Sequence, residues 1–280
     1  MEKSLKKYFP VFVLPTLIAF TIAFIIPFIL GIFLSFTEFT TVTDAKWVGL
    51  KNYLRIFEDG DFLNALWFTV RFALVSVISI NVFAFLLALL LTRGLKGTNL
   101  FRTIFFMPNL IGGIVLGYIW ILILNGLLAH WGVTITYDPK YGFWGLVILM
   151  NWQLIGYMMI IYIAGIQSVP DSLIEAAKID GATPGRILRS ITIPMVMPSI
   201  TICMFLTVSN AFKLFDQNLA LTAGAPSNKT AMMALDIYTT FYGRVGWEGV
   251  GQAKAVLFFI IVAIISLPQV LTTRNKEVES

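Results

Sequence analysis

Asn210, Lys213 and Gln217 stand at i, i+3 and i+7, with Thr207 three positions before the first and Asp216 just ahead of the last. On one α-helix that spacing lines up amide, ammonium and amide on a single stripe. Gln153 and Tyr157 lie one turn apart in an earlier segment that also carries Asn151 and Trp152. Amides and hydroxyls both give and accept hydrogen bonds, and aromatic faces such as Trp152, Tyr157 and Phe212 can cover the apolar face of a ring. Together they suit weak, reversible contact with a hydroxyl-rich solute. Two plainer readings stand beside this one. Lys213 and Asp216 are three apart and can pair with each other, and each aromatic can serve as packing or as an interfacial anchor in a chain that is 14% aromatic.

The elements that must position these groups are apolar to an unusual degree. The 280 residues are 58% hydrophobic and 12% charged, with 24 phenylalanines, too apolar to hide in one water-soluble core. A bilayer crossing needs about 20 mostly apolar residues. The chain supplies six such runs, near 11–36, 67–91, 103–128, 143–166, 195–221 and 254–271. Polar groups at that depth are expensive unless they face protein or water, which makes the residues above pathway candidates by default. The fold class expected is an all-α integral membrane protein with six transmembrane helices in a single domain over 1–280. The first run follows Lys3, Lys6 and Lys7 but exceeds a signal-peptide core and lacks a small-residue cleavage site, so it reads as an uncleaved helix. Pro108, Gly112, Gly113 and Gly117 predict a bent third span with close neighbours. Arg71, near the end of the second, is placed to snorkel.

Charge sets an orientation. With the amino terminus in the cytoplasm, the segments 1–10, 92–102, 167–194 and 272–280 also face inward. They carry eleven bases: Lys3, Lys6, Lys7, Arg93, Lys96, Arg102, Lys178, Arg186, Arg189, Arg274 and Lys276. The longer opposite loops carry Lys46, Lys51, Arg55, Lys140, Lys229, Arg244 and Lys254. The bias favours cytoplasmic N and C termini. In the 37–65 loop, Leu50, Tyr53, Leu54 and Phe57 have the spacing of a short amphipathic helix, packed on the spans or lying at the interface.

Several chemistries are unsupported. No phosphate-cradling G-x-x-x-x-G-K-[ST] loop is present, and the nearest approach, Gly224 to Thr230, lacks its second glycine. The single His130 has no ligand cluster or orienting carboxylate, so neither a metal site nor a hydrolase triad is expected. Cys203 lies within a span. The net charge of +5 is scattered through short loops rather than gathered on a face, which argues against nucleic acid.

The remaining feature is a polar island, EAAKIDGATPGRILRSITIP, between the fourth and fifth runs. Ser172 and Glu175 have the capping-box spacing, predicting a helix start there. Gly181 suits a left-handed helix stop, and Thr183-Pro184 an N-cap followed by proline at the first helical position. Helix, glycine turn, helix is the expected unit, resting on the membrane interface or in a groove of a soluble partner. Glu175-Ala176-Ala177, Gly181, Ile191, Ile193 and Pro194 match the spacing of the cytoplasmic EAA loop of permease subunits from binding-protein-dependent ABC importers. Residues 100–120, 151–159, 164–183 and 214–226 resemble the maltose-type and multiple-sugar-type branch of that family. Departures are Ile193 for leucine, Ala225 where glycine is common, and Leu66-Trp67 where Asn-Thr is common.

The resemblance implies a non-enzymatic subunit without a cofactor of its own in a prokaryotic inner or plasma membrane. It further implies a second homologous permease, two cytoplasmic ATP-binding subunits carrying MgATP, and an extracellular or periplasmic sugar-binding protein as partners alongside membrane lipid. The loop 171–194 would dock as a coupling helix-turn-helix through Glu175, Ala176, Ala177, Asp180, Gly181, Arg186 and Arg189. Cavity positions carried over from the family are Gln153, Leu154, Tyr157, Thr207, Asn210, Ala211, Leu214 and Asp216. The expected function is passage of a sugar, an oligosaccharide, into the cytoplasm. The alternatives are a self-contained ion-coupled secondary transporter and a membrane-anchored scaffold.

Overall fold

The computed structural model describes residues 2–274, and the described chain is helical save for one antiparallel pair, β1 (Thr37–Glu38) with β2 (Lys46–Trp47). Among the described residues, five helices are long and apolar enough to cross a membrane: Val11–Ser35, Gly60–Leu91, Gly113–Trp131, Pro139–Gln167 and Glu248–Thr273. A sixth crossing arises only if Pro184–Met195 and Met197–Phe212, bent by 69°, count as one. The chain forms two compact units, Met1–Gly60 with Ile237–Phe259, and Asp61–Asp236 with Ile260–Ser280.

In the first unit, α1 (Glu2–Phe20) runs through a π-helical turn, Thr21–Ile25, into α2 (Ile26–Ser35). Pro27 explains the turn. It has no N–H to give Ala23, and its ring would clash with that carbonyl, so the helix widens locally and the Ile26 amide bonds Thr21 instead. After the hairpin, α3 (Lys51–Glu58) packs through its Asn52 and Ile56 face. Asn52 Nδ2 donates to the carbonyls of Ser35 at 2.9 Å and Thr37 at 2.8 Å, satisfying orphan groups at the end of α2. The opposite face, Leu50, Leu54 and Phe57, is more than half exposed, as an interfacial helix requires. Asp44 closes the 3-10 turn Val42–Asp44, and amides of Thr41 and Thr40 hold its carboxyl below the usual range.

Asp59 caps α3 and accepts from Arg244 Nη1 at 3.1 Å and Lys254 Nζ at 2.8 Å. Lys254 also donates to Thr240 Oγ1 at 2.9 Å, and its side chain is fully buried. The count of charges by loop places Lys254 among the loop bases. It instead lies inside α14 (Glu248–Arg274), where a pair separated by 195 residues neutralises it. Lys254→Met takes from buried Asp59 its nearer cation while Arg244 stays beside it, so the change is expected to cost about 2 kcal/mol, the loss of one charge-assisted hydrogen bond. Thermal denaturation in detergent checks this, and an unchanged midpoint would show that the pair does not hold the unit together.

The second unit is built round α7 (Pro139–Gln167), whose Leu146, Leu149, Met150, Met158 and Met159 are fully buried. Asp138 caps it by accepting from the Lys140 amide at 2.8 Å, with Pro139 at the first position. That cap starts the helix four residues before the apolar run. Beside α7 lies α4 (Gly60–Leu91), and their polar groups meet at depth. Tyr162 Oη donates to Asn81 Oδ1 at 2.6 Å, and Asn81 Nδ2 reaches Thr207 Oγ1 at 3.2 Å. The third apolar run is two helices, α5 (Thr98–Phe106) and α6 (Gly113–Leu128), divided by a 3-10 turn over Met107–Leu110 and extended Ile111. The bend expected at Pro108 is thus a break.

Beyond α7, α8 (Asp171–Ile179) and α9 (Pro184–Ile187) form the expected helix-turn-helix, followed by a π-helical turn Leu188–Thr192 and α10 (Ile193–Met195). The turn's geometry matches expectation, with Gly181 at φ +76°. Its amide bonds Lys178 O at 3.1 Å and the Ala182 amide bonds Ala177 O at 2.9 Å, the paired bonds of a Schellman stop. The start differs: Pro170 is the N-cap, and no capping-box bonds link Ser172 and Glu175. Pro194 and Pro198 explain the π turn and the sharp bend before α11 (Met197–Phe212), since each removes a donor and crowds the carbonyl four residues back.

The stripe expected along a helix over 195–221 is interrupted. α11 stops at Phe212 with Lys213 as C-cap, and α12 (Asp216–Leu221) is a separate helix. Packing explains the break: Gly117 of α6 lies against Ala220, and Gly113 against Asp216 and Gln217, so α12 sits directly on the glycine face of α6. Asn218 pins the following loop, donating to Thr230 O at 2.8 Å and accepting from the Met232 amide at 2.9 Å. The chain then continues through α13 (Met233–Gly243).

Candidate functional site

Despite the broken stripe, a small cleft of about 150 Å³ forms where α7, α11, α12 and the Pro108 break converge. Its polar lining is Asn109, Gln153, Asn210, Lys213 and Gln217, with Met150, Leu154 and Leu214 as apolar wall. Gln217 Nε2 donates to Gln153 Oε1 at 2.8 Å, and Gln153 Nε2 donates to Ile111 O at 3.4 Å. Asn210 Nδ2 donates to Leu206 O at 2.8 Å, which leaves its carbonyl oxygen as an acceptor. Donors and acceptors here are neutral except for exposed Lys213. Such a lining could exchange hydrogen bonds with a hydroxylated solute.

Of the expected solute contacts, Gln153, Asn210 and Lys213 are brought together, whereas Asn151, Trp152, Tyr157, Thr207 and Asp216 do not line this cleft. Thr207 is fully buried and donates to Cys203 O at 2.6 Å while receiving Asn81, so its hydroxyl is engaged within the helix bundle. Trp152 packs edge-on against Trp120 at 5.7 Å, and Tyr157 lies tilted against Phe106 at 6.4 Å. Asn151 Nδ2 donates to Val147 O at 2.8 Å, and its buried oxygen has no partner. No ion pair joins Lys213 to Asp216 among the described residues, because Lys213 ends one helix and Asp216 begins the next. Sequence reasoning missed Asn109. The signal was available: an amide directly after a proline within an apolar run.

The helix-turn-helix is the second candidate surface. Glu175, Ala176, Asp180, Gly181, Arg186 and Arg189 are exposed and Ala177 is half-buried. Among the described residues, Glu175, Lys178, Asp180, Arg186 and Arg189 form no ion pair within the chain. Within α8 and α9 the buried residue is Ile187, while Ile179 is 86% exposed. A hollow of about 280 Å³ between the two arms is lined by Ala177, Asp180, Ala182, Arg186, Ile187, Ser190 and Ile191. The surface thus presents charges of both signs without an ion pair in the chain beside an exposed isoleucine.

Comparison with known proteins agrees with this architecture. The probable starch degradation products transport system permease protein of Thermoanaerobacterium thermosulfurigenes is 46% identical over 280 residues, covering 96% of this chain and 94% of its own. The multiple sugar-binding transport system permease protein of Streptococcus mutans is 31% identical, covering 99% of both. In fold, the chain is similar to a subunit of a bacterial ABC transporter involved in the import of the acidic polysaccharide alginate, with a TM-score of 0.82, 22% identity and 98% of each chain covered. Residues 80–274 match the family described as binding-protein-dependent transport system inner membrane component. With a buried helical core, membrane-length apolar helices and near full-length relatives all agreeing, the chain belongs to that family of ABC importer permeases.

Proposed function

We propose that the chain passes a sugar, an oligosaccharide, from an external binding protein to the cytoplasm as the permease subunit of an ATP-driven importer. The observation that carries the reading is the 46% identity, over nearly the whole chain, to a permease named for starch degradation products. A permease named for trehalose and maltose, from Thermococcus litoralis, is 30% identical over 89% of this chain. The lining of the cleft, four amides with Lys213 as a cation beside them, supports the same cargo class, since sugar hydroxyls are matched by groups that give and accept hydrogen bonds. The solved alginate transporter in complex with a pentasaccharide-bound periplasmic protein supports an external binding protein as partner.

The helix-turn-helix faces the cytoplasm in the orientation set by the basic residues, and both termini lie on that side. There its unpaired Glu175, Asp180, Arg186 and Arg189 seat in a cleft of an ATP-binding subunit, two of which hold MgATP. A second homologous permease completes the pathway. Closure of the ATP-bound pair pushes the 171–194 unit, and the π turn and 69° bend carry that push to α11, whose Asn210 lines the cleft.

Gln153→Ala and Asn210→Ala test the assignment of the cleft. A net hydrogen bond is worth about 1 kcal/mol, so each is expected to raise the sugar concentration for half-maximal uptake about fivefold while assembly is unaffected. Uptake kinetics unchanged in both variants would remove the cleft from the pathway.

A further inference from the structure

A larger groove, about 460 Å³, lies away from the cleft, between the first half of α4 and the start of α7. Three cations border it: Arg71 from α4, Lys140 from the first turn of α7, and Lys229 from the loop after α12. Trp67 and Trp144 flank them, both more than half exposed, and the Arg71 guanidinium lies 5.5 Å over the Trp67 ring. The two acids nearby in sequence do not line the groove. Asp138 accepts from the Lys140 amide at 2.8 Å, and Asp61 accepts from Asn228 Nδ2 at 3.2 Å. Deeper along α4 the lining turns apolar through Leu74 and Val75, and exposed Ile78 and Val82 continue it.

We propose that this groove seats an anionic phospholipid, its phosphate among Arg71, Lys140 and Lys229 and its first acyl carbons against Leu74 and Val75. Charge complementarity selects the headgroup, because three cations without a lining carboxylate attract an anion to a membrane-bordering surface. The change from cationic to apolar lining selects an amphiphile over a soluble anion or a water-soluble protein. The paired tryptophans sit where such rings favour the boundary between headgroup and hydrocarbon. The inference rests on membership of a membrane-component family and on neither the cargo nor the ATP-binding partners.

Native mass spectrometry of the full chain, in the assembly in which it purifies from membranes, tests the proposal with added phosphatidylglycerol, phosphatidylcholine or inorganic phosphate. A basic residue near an anionic headgroup contributes about a fivefold gain in affinity. Phosphatidylglycerol is therefore expected to bind about 100-fold more tightly than phosphatidylcholine. R71Q, K140Q and K229Q should each weaken it about fivefold, and the triple variant should bring it to the phosphatidylcholine level. Equal binding of the two lipids, or phosphatidylglycerol binding untouched in the triple variant, would overturn it. So would saturation of the groove by inorganic phosphate in competition with lipid, which identifies a soluble anion site. Exclusion of lipid by a co-purifying chain would also overturn it and assign the groove to a protein interface. All three side chains are exposed, so the substitutions leave the packed core intact.

Discussion

Gly156→Val is expected to abolish accumulation of the folded chain. Gly156 lies in the middle of α7, and a Cβ there would collide with the carbonyl oxygen and carbon of Phe105 in α5. Both are backbone atoms, so no side-chain rotation relieves the clash and the two helices must part. Overpacking a well-filled site costs about 1–3 kcal/mol even where side chains can yield. Here rigid helices meet through a missing side chain, the packing that membrane bundles rely on when apolar surface gives no drive for association. A loss above about 3 kcal/mol is therefore expected, a large share of the stability of an ordinary domain. Size-exclusion profiles of detergent-solubilised protein read the outcome, and Gly156→Ala, which carries the same Cβ, should also lose most of its monodisperse yield. A wild-type yield of monodisperse Val variant would show that α5 and α7 do not meet at this point.

Gly181→Val is expected to leave the chain inserted and assembled but to reduce substrate-stimulated ATP hydrolysis by the complex more than tenfold. Space is not the cause, since a Cβ at Gly181 would meet nothing within 4 Å. The cause is conformational: φ of +76° disfavours any residue with a Cβ, and a β-branched one most. Valine must leave that region, and with it go the two bonds that stop α8, from Gly181 to Lys178 and from Ala182 to Ala177. The arms then lose their fixed angle and no longer present Glu175 and Arg186 together. Gly181→Asn supplies the control, because asparagine tolerates the left-handed region and should retain most stimulation. Equal loss in the Asn and Val variants would mean that bulk, not backbone, is at issue; full activity in both would remove the turn from coupling.

The two predictions draw on features that differ in how they can be read from sequence. Gly181 was legible because a glycine after an apolar helical run, followed by Thr183-Pro184, is local punctuation whose meaning depends on few distant atoms. Gly156 was not, because the carbonyl it makes room for belongs to Phe105, on another helix. The same divide runs through the rest of the molecule. Apolar runs announced most spans, and Pro108 with its glycines announced an irregular third span. The stop of α11 at Phe212 has no proline or glycine to mark it, and arises from the seating of α12 on α6. Thr207 looked available as a hydroxyl at membrane depth, but Asn81, 126 residues earlier, engages it. Lys254 looked like a loop base until folding placed Asp59 beside it. At the cleft, residue types were sufficient to nominate Gln153, Asn210 and Lys213, whereas separating them from Asn151, Trp152 and Tyr157 needed helix rotation, which polarity alone does not fix.

Uptake into proteoliposomes tests the central claim most directly. The vesicles would hold this chain with its second permease and ATP-binding subunits, the external binding protein and a labelled glucose oligosaccharide, with ATP supplied on the side of the 171–194 unit. The account predicts sugar accumulation that requires ATP and both partner subunits and that collapses with Gly181→Val. Accumulation of the same size driven by an ion gradient, by vesicles lacking any ATP-binding subunit, would contradict it.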